Sequence, residues 1–204
     1  MAKQKKNNFF QDGVFNLIIS GYGGQGVLTL AKMICLSALK QGFLVKETEL
    51  HGLAQRGGSL NSQIRIIQDK NKDYSPLILP SKADLIIGLD LIEALRACSF
   101  ANKKRTKILA NLDIFLLGKR KIKTGEMIAE IEKRTKEQEF VRFSDILSKN
   151  RLEDFSLNIF FLGRSIFKGY LPLEKEVVWQ VIKKELAKKH WKENKKAFDL
   201  SFKI

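Results

Sequence analysis

Six residues constrain this chain more than any others. Gly21-Tyr22-Gly23-Gly24-Gln25-Gly26 follows a short apolar run, Val14–Ser20. It precedes Val27–Lys40, where Val27, Leu30, Ala31, Ile34 and Ala38 recur at helical spacing. A glycine turn between a buried strand and a helix is the G-x-G-x-x-G pattern in its expected context. Glycine permits the tight turn and lets backbone approach a phosphate, while the helix supplies free N–H groups and the positive end of its dipole. Glu47 lies about twenty residues further on, where a dinucleotide-binding protein holds its ribose. Motif logic alone therefore allows a NAD- or FAD-dependent oxidoreductase. A P-loop is excluded, because Val27 stands where its lysine is required. A turn that only packs helix against strand fits the spacing equally well.

The remaining N-terminal half continues the alternation. Phe43–Glu49 follows the helix-stop signal Gly42 and reads as a second strand. Ser59–Ile67 reads as a third, with Leu60, Ile64 and Ile66 on one face. Asp84–Leu89 and Thr106–Asn111 are further strands, with a short helix through Ala97 between them. Strands separated by helices predict an α/β, Rossmann-like fold with a mainly parallel sheet flanked by helices. The C-terminal region is mostly helical. Met127–Arg134 is amphipathic, Glu139–Phe143 reads as a last strand, and Leu157–Tyr170 is strongly apolar. Glu174–Lys189 places Val177, Val178, Val181, Ile182 and Leu186 on one face and lysines on the other. No repeat or low-complexity linker divides the chain, so residues 1–204 read as one domain, with a basic, flexible tail over residues 1–13.

Composition narrows the function. The formal charge is +15, with lysine runs at Lys3–Lys6, Lys119–Lys123 and Lys183–Lys196. Such runs make a solvated surface, a docking face for an acidic partner, or a nucleic-acid-binding module. No zinc-finger spacing, RNP-type aromatic signature or arginine-rich arm supports the last. Cys35 and Cys98 are the two cysteines. They exclude a disulfide framework and a cysteine-ligated cluster within the chain, since an iron–sulfur cluster takes about four ligands. A reducing cytoplasm fits. No apolar run approaches the roughly 18 residues of a membrane span, and Val14–Ile19 is too short for a secretory signal.

The most informative segment is Glu49-Leu50-His51-Gly52-Leu53-Ala54-Gln55-Arg56-Gly57-Gly58-Ser59. It is a polar, glycine-bearing loop after the second strand, at the sheet edge where open α/β folds bind ligands. This string resembles the signature of the indolepyruvate ferredoxin oxidoreductase beta subunit, a relative of the gamma subunit or gamma domain of pyruvate ferredoxin oxidoreductases. The first loop with its helix, Gly21 to Lys32, is similar to that family. So are Tyr74-Ser75-Pro76-Leu77-Ile78, Ala83-Asp84-Leu85, Glu93-Ala94-Leu95-Arg96, Leu157 to Gly163 and Glu193 to Phe198. The resemblance is collinear from Val14 to Phe198. Pyruvate- and oxoglutarate-type relatives share the glycine loop but differ where this chain has His51 to Gly58, which favours the indolepyruvate branch. Asp90 departs from the pattern, standing where the family often has a longer carboxylate. Leu116–Lys123 also departs, being basic and without proline.

The resemblance implies a small subunit that is inactive alone and binds no cofactor tightly. The complete enzyme would decarboxylate a 2-oxoacid such as an aryl pyruvate and release an acyl-CoA. A large partner subunit would carry thiamine diphosphate, magnesium and iron–sulfur clusters, and ferredoxin would meet the complex rather than this chain. The residues expected near CoA or the partner are Gly21, Gly23, Gly24, Gln25 and Gly26 of the first loop, and Gln55, Arg56, Gly57 and Gly58 of the second. His51 and Arg56 are supporting candidates for catalysis, His51 to orient an oxygen and Arg56 to hold a carboxylate or phosphate through its planar fork. Bracing the loop or a subunit interface remains an alternative for both. No metal site is expected in the chain.

Overall fold

A computed structural model describes residues 9–51, 57–115 and 123–204. A six-stranded sheet has the order β2-β3-β1-β4-β5-β6. Its strands are β1 (Val14–Tyr22), β2 (Leu44–His51), β3 (Ser59–Ile67), β4 (Leu85–Gly88), β5 (Lys107–Asn111) and β6 (Glu137–Val141). β1, β4, β5 and β6 pair in parallel, while β3 runs antiparallel to both β1 and β2. Five strands therefore share one direction and β3 opposes them, as a mainly parallel sheet requires.

Helices cover both faces. α1 (Val27–Lys40), α4 (Phe143–Asn150), α5 (Leu157–Phe167), α6 (Lys175–Glu185) and α7 (Trp191–Leu200) bury their apolar sides in one core. α2 (Leu91–Ala97) and α3 (Thr124–Arg134) close a smaller core on the other face. β1 lies between the two cores, and eight of its nine residues are buried. That explains its unbroken apolar run, since a strand covered on both faces shows no alternation. α1 ends as its sequence demands: Gly42 takes φ 84°, and Gly42 N–H donates to Leu39 O while Phe43 N–H donates to Ala38 O.

Several expected boundaries shift, and three of the shifts have a visible physical reason. Phe43 N–H is used in capping α1, so β2 begins at Leu44. The last strand occupies Glu137–Val141, and Phe143 opens α4 instead, with Asn111 Oδ1 accepting its backbone N–H at 3.2 Å. α6 stops at Glu185. Leu186 is extended (φ −95°, ψ 144°), and its carbonyl accepts the Trp191 indole N–H at 2.9 Å. Of the expected tail, residues 1–8 lie outside the described residues and residues 9–13 are within them. Phe9 and Phe10 pack on Phe15 and Phe43, with ring centroids 6.1 and 5.3 Å apart, so the packed chain includes residues 9–13. Among the described residues no helix is long and apolar enough to cross a membrane.

Gly163 marks a tight helix contact. A Cβ there would strike Ser201 Oγ and lie 3.1 Å from Phe198 Cδ2, so α5 and α7 meet through the missing side chain. Gly163→Ala is expected to lower the unfolding free energy by about 1–3 kcal/mol through overpacking, read from urea denaturation. An unchanged midpoint would mean the two helices separate freely.

Candidate functional site

The glycine loop is held by its own glutamine. Gln25 Oε1 accepts the Tyr22 backbone N–H at 2.8 Å, and Nε2 donates to Leu89 O at 3.3 Å, tying the turn to the end of β4. Gln25 therefore works inside the turn. Gly24 (φ 107°) and Gly26 (φ 80°) adopt left-handed backbone. Gly26 also has no room for a side chain, because a Cβ would strike Asn158 Nδ2 at the start of α5. The loop thus brings the N-termini of α1 and α5 together. Neither helix has an acidic residue in its first turn or a side-chain cap. The positive end of α1 remains available to an anion, whereas at α5 Leu157 N–H donates to Asp154 O and Ile159 N–H to Asn158 Oδ1 at 2.8 Å.

The second loop is anchored beside the first. His51 ends β2 and pairs with Leu60, and Tyr22 pairs with Ser59. Gly23 N–H donates to Gly58 O at 3.0 Å, and Gly57 is left-handed (φ 68°). Both loops therefore leave from the same edge, at the carboxyl ends of the parallel strands. Gln55 and Arg56, with residues 52–54, lie outside the described residues.

A buried carboxylate pins this junction. Glu93, only 2% exposed, accepts from Ser59 Oγ and from Arg96 Nη1, both at 2.5 Å. Burial, followed by the Glu93 and Asp90 carboxylates, holds the Tyr22 hydroxyl above its usual pKa. Asp90 caps α2, its Oδ1 accepting Ile92 N–H at 2.7 Å and Glu93 N–H at 3.2 Å. Its Oδ2 accepts Phe115 N–H at 2.5 Å. A short carboxylate at this position is an N-cap that also fastens the chain leaving β5. Burial raises the Asp90 carboxyl pKa despite these three bonds.

Between the glycine loop, the ends of β5 and β6, and the starts of α4, α5 and α7 opens a cleft of about 1140 Å³. The lining includes Gly23, Gly24, Gln25 and Gly26 but not Gly21. A Cβ on Gly21 would instead meet Gln25 Oε1 at 2.8 Å and Val27 Cγ2 at 2.9 Å, so its role is the turn itself. Asp113 organises the far wall: Oδ2 accepts Ser144 N–H and Oδ1 accepts Ser144 Oγ–H, both at 2.7 Å, with Arg142 at 3.6 Å. Asn194, 2% exposed, borders the cleft with a buried Oδ1 that finds no partner. His190 lies edge-on to Phe155 at 4.8 Å. Among the described residues the cleft thus offers helix ends, one arginine, amides, an aromatic rim and the carboxylates of Asp113 and Asp154.

Over residues 16–204 the chain matches the family described as pyruvate ferredoxin/flavodoxin oxidoreductase. The chain belongs to that family. It is 30% identical to the indolepyruvate oxidoreductase subunit IorB of Pyrococcus horikoshii over 198 residues, covering 93% of this chain and 95% of that one. It is 32% identical to the IorB subunit of Archaeoglobus fulgidus over 192 residues, covering 92% and 93%. The resemblance to the indolepyruvate type therefore holds across nearly the whole chain. Among solved structures, the pyruvate oxidoreductase subunit PORC of Thermotoga maritima superposes with a TM-score of 0.67 at 18% identity, covering 94% of this chain and 96% of that one. The 2-oxoglutarate:ferredoxin oxidoreductase of Magnetococcus marinus, solved with 2-oxoglutarate, coenzyme A and succinyl-CoA, gives 0.71 at 14% identity. That comparison covers 94% of this chain but 31% of the longer one.

Pyruvate ferredoxin/flavodoxin oxidoreductase membership and the sheet order together revise the dinucleotide reading of Glu47. β3 lies between β1 and β2, so Glu47 stands two strands, roughly 10 Å, from β1. Its carboxylate accepts from Ser62 Oγ at 3.0 Å and from Cys35 Sγ at 3.5 Å, facing α1 rather than a ribose. Burial, then Glu47, pushes the Cys35 thiol far above its usual pKa. Cys35 and Cys98 are each buried, in cores on opposite faces of the sheet, and do not fit a shared cluster. The cleft residues Asn111, Asp113, Arg142, Ser144 and His190 escaped the sequence reading, being isolated polar residues without spacing. Asn158 and Asn194 lie inside segments already resembling the family, and that signal was available.

Proposed function

We propose that this chain is the small subunit of an indolepyruvate-type 2-oxoacid:ferredoxin oxidoreductase, and that its cleft admits coenzyme A to a site completed by a large partner subunit. The observation that carries this reading is the glycine turn at the α1 N-terminus, set beside the start of α5 and opening on a cleft of about 1140 Å³ whose described carboxylates are Asp113 and Asp154. That volume lies just above the usual range of small-molecule pockets and suits a long cofactor with anionic phosphates. Gly23, Gly24 and Gly26 would present backbone to a phosphate, Arg142 would add charge, and the buried Asn194 amide would meet a polar group further along the ligand. Thiamine diphosphate, magnesium and iron–sulfur chemistry, oxidative decarboxylation of an aryl pyruvate with electrons passed to ferredoxin, belongs to the partner in this reading. The two cysteines here do not fit a cluster. The complex is proposed to be cytoplasmic, and the chain alone inactive.

His51 and Arg56 are proposed to face the partner's active site from the second loop, His51 orienting a substrate oxygen and Arg56 holding a carboxylate or CoA phosphate. A charge-assisted hydrogen bond of this kind contributes on the order of 1.5–3 kcal/mol. In the reconstituted complex, Arg56→Ala is expected to raise the apparent KM for CoA about tenfold or more with assembly intact. Arg56→Lys, which keeps the charge and loses the fork, should be impaired less but measurably. Gel filtration followed by CoA titration separates this outcome from a subunit contact, for which assembly fails and CoA does not rescue. Wild-type assembly with wild-type kinetics would remove Arg56 from the site.

A further inference from the structure

Four glycines let the first loop turn, and they also make it loose. Glycine loses more conformational freedom on ordering than any other residue, so a turn of this composition keeps its shape only when braced. The brace matters because the turn holds unengaged donors. The backbone N–H groups of Gly24, Gly26 and Val27 find no acceptor among the described residues, and neither do those of Leu28 and Thr29 in the first turn of α1. Such donors hold an anion well only if they already converge before it arrives. One brace is internal, the Gln25 side chain bonded to Tyr22 N–H and Leu89 O. The other comes from outside the loop.

The outer brace runs to α2. Gly23 N–H donates to Gly58 O, and Gly58 precedes Ser59 in the chain. Residues 57 and 58 are themselves glycines, so the firmness of that bond depends on how Ser59 is held. Ser59 Oγ donates to Glu93 Oε2 and Arg96 Nη1 donates to Glu93 Oε1, each at 2.5 Å. Arg96 steadies the carboxylate from the solvent side, its own side chain being 60% exposed against 2% for Glu93. The same carboxylate acts on the hydroxyl of Tyr22, the last residue of β1 and the second of the glycine turn. One buried side chain on α2 thus reaches both strand ends from which the loops depart, while lining no part of the cleft. The segment Glu93 to Arg96 resembles the family, and this contact gives it a task. We propose that Glu93 is a positioning residue: through Ser59 and Gly58 on one side and Tyr22 on the other, it keeps the Gly23–Gly26 backbone preset for the phosphates of coenzyme A. This role rests on the cleft admitting coenzyme A.

Equilibrium dialysis of labelled coenzyme A against the reconstituted complex, with no 2-oxoacid present, tests this without turnover. Glu93→Gln is expected to raise the dissociation constant about threefold or more, and Ser59→Ala about as much. Both residues act along one path, so the double variant should bind no more weakly than Glu93→Gln alone. Turnover should split the same way, with a higher KM for coenzyme A and kcat at saturation changed by less than about twofold. Gly163→Ala, which loosens a helix contact outside the cleft lining, is the control and should leave the dissociation constant where it was. Unchanged affinity in both single variants, single effects that multiply in the double variant, or equal weakening by Gly163→Ala overturns the proposal while leaving the cleft's ligand in place. A wild-type complex that binds no coenzyme A overturns it as well, and removes the reading of the cleft with it.

Discussion

Glu93→Leu is expected to lower the unfolding free energy by about 2–3 kcal/mol, although residue 93 does not line the cleft. The carboxylate is buried and accepts from both Ser59 and Arg96. Leucine leaves the Ser59 hydroxyl without its acceptor beside an apolar side chain. The Arg96 side chain is 60% exposed and recovers water, so the loss stays below that of a fully buried ion pair. Glu93→Gln keeps one acceptor and should cost about half as much. The damage should also be local in a particular way. Ser59 follows Gly58, whose carbonyl holds Gly23, so amide exchange should quicken at Gly23 and Ser59 before it quickens in α6. Urea denaturation and hydrogen exchange on the same variants check both parts. Uniform loosening of the whole chain would mean Glu93 is an ordinary core residue rather than the pin between the two loops.

Gly26→Ala is the second large effect. Left-handed backbone at φ 80° costs an alanine about 1–2 kcal/mol, and the collision with Asn158 adds about 1–3 kcal/mol. Gly24 offers the control, since its φ is 107° but nothing lies within 4 Å of a Cβ there. Gly24→Ala should therefore show the backbone cost and little else. Adding Asn158→Ala to Gly26→Ala should recover roughly 1 kcal/mol or more by making room. A Gly26→Ala variant no less stable than Gly24→Ala would show that α1 and α5 are not held together at this point.

The parts of the fold legible in the sequence were those set by local physics. Helical spacing in Val27–Ala38 and the stop at Gly42 give α1 its bounds, and the apolar positions Leu60, Ile64 and Ile66 face one core together. The direction of β3 was not legible. Alternation marks a strand but says nothing of which way it runs. The opposing strand displaces β2 and removes the dinucleotide role expected of Glu47. Phe143 shows the same limit at short range: its apolar side chain suits a strand end, yet the amide of Asn111, a whole element earlier, helps start a helix there. The candidate site divides likewise. Its glycines were legible because left-handed turns need glycine, whereas Asp113, Arg142 and Asn194 come together only when β5 and β6 end, and α7 begins, at one edge.

This member of the pyruvate ferredoxin/flavodoxin oxidoreductase family is proposed to work as the cluster-free part of a larger enzyme. The most direct measurement is co-expression of the tagged chain with its candidate large subunit, followed by purification and assay with an aryl pyruvate, CoA and ferredoxin. The expected result is a coloured complex that reduces ferredoxin only when CoA is supplied, and a colourless, inactive chain when the partner is omitted. Purified chain that oxidises a 2-oxoacid by itself, or a co-purified complex whose activity ignores CoA and follows NADH, would contradict it.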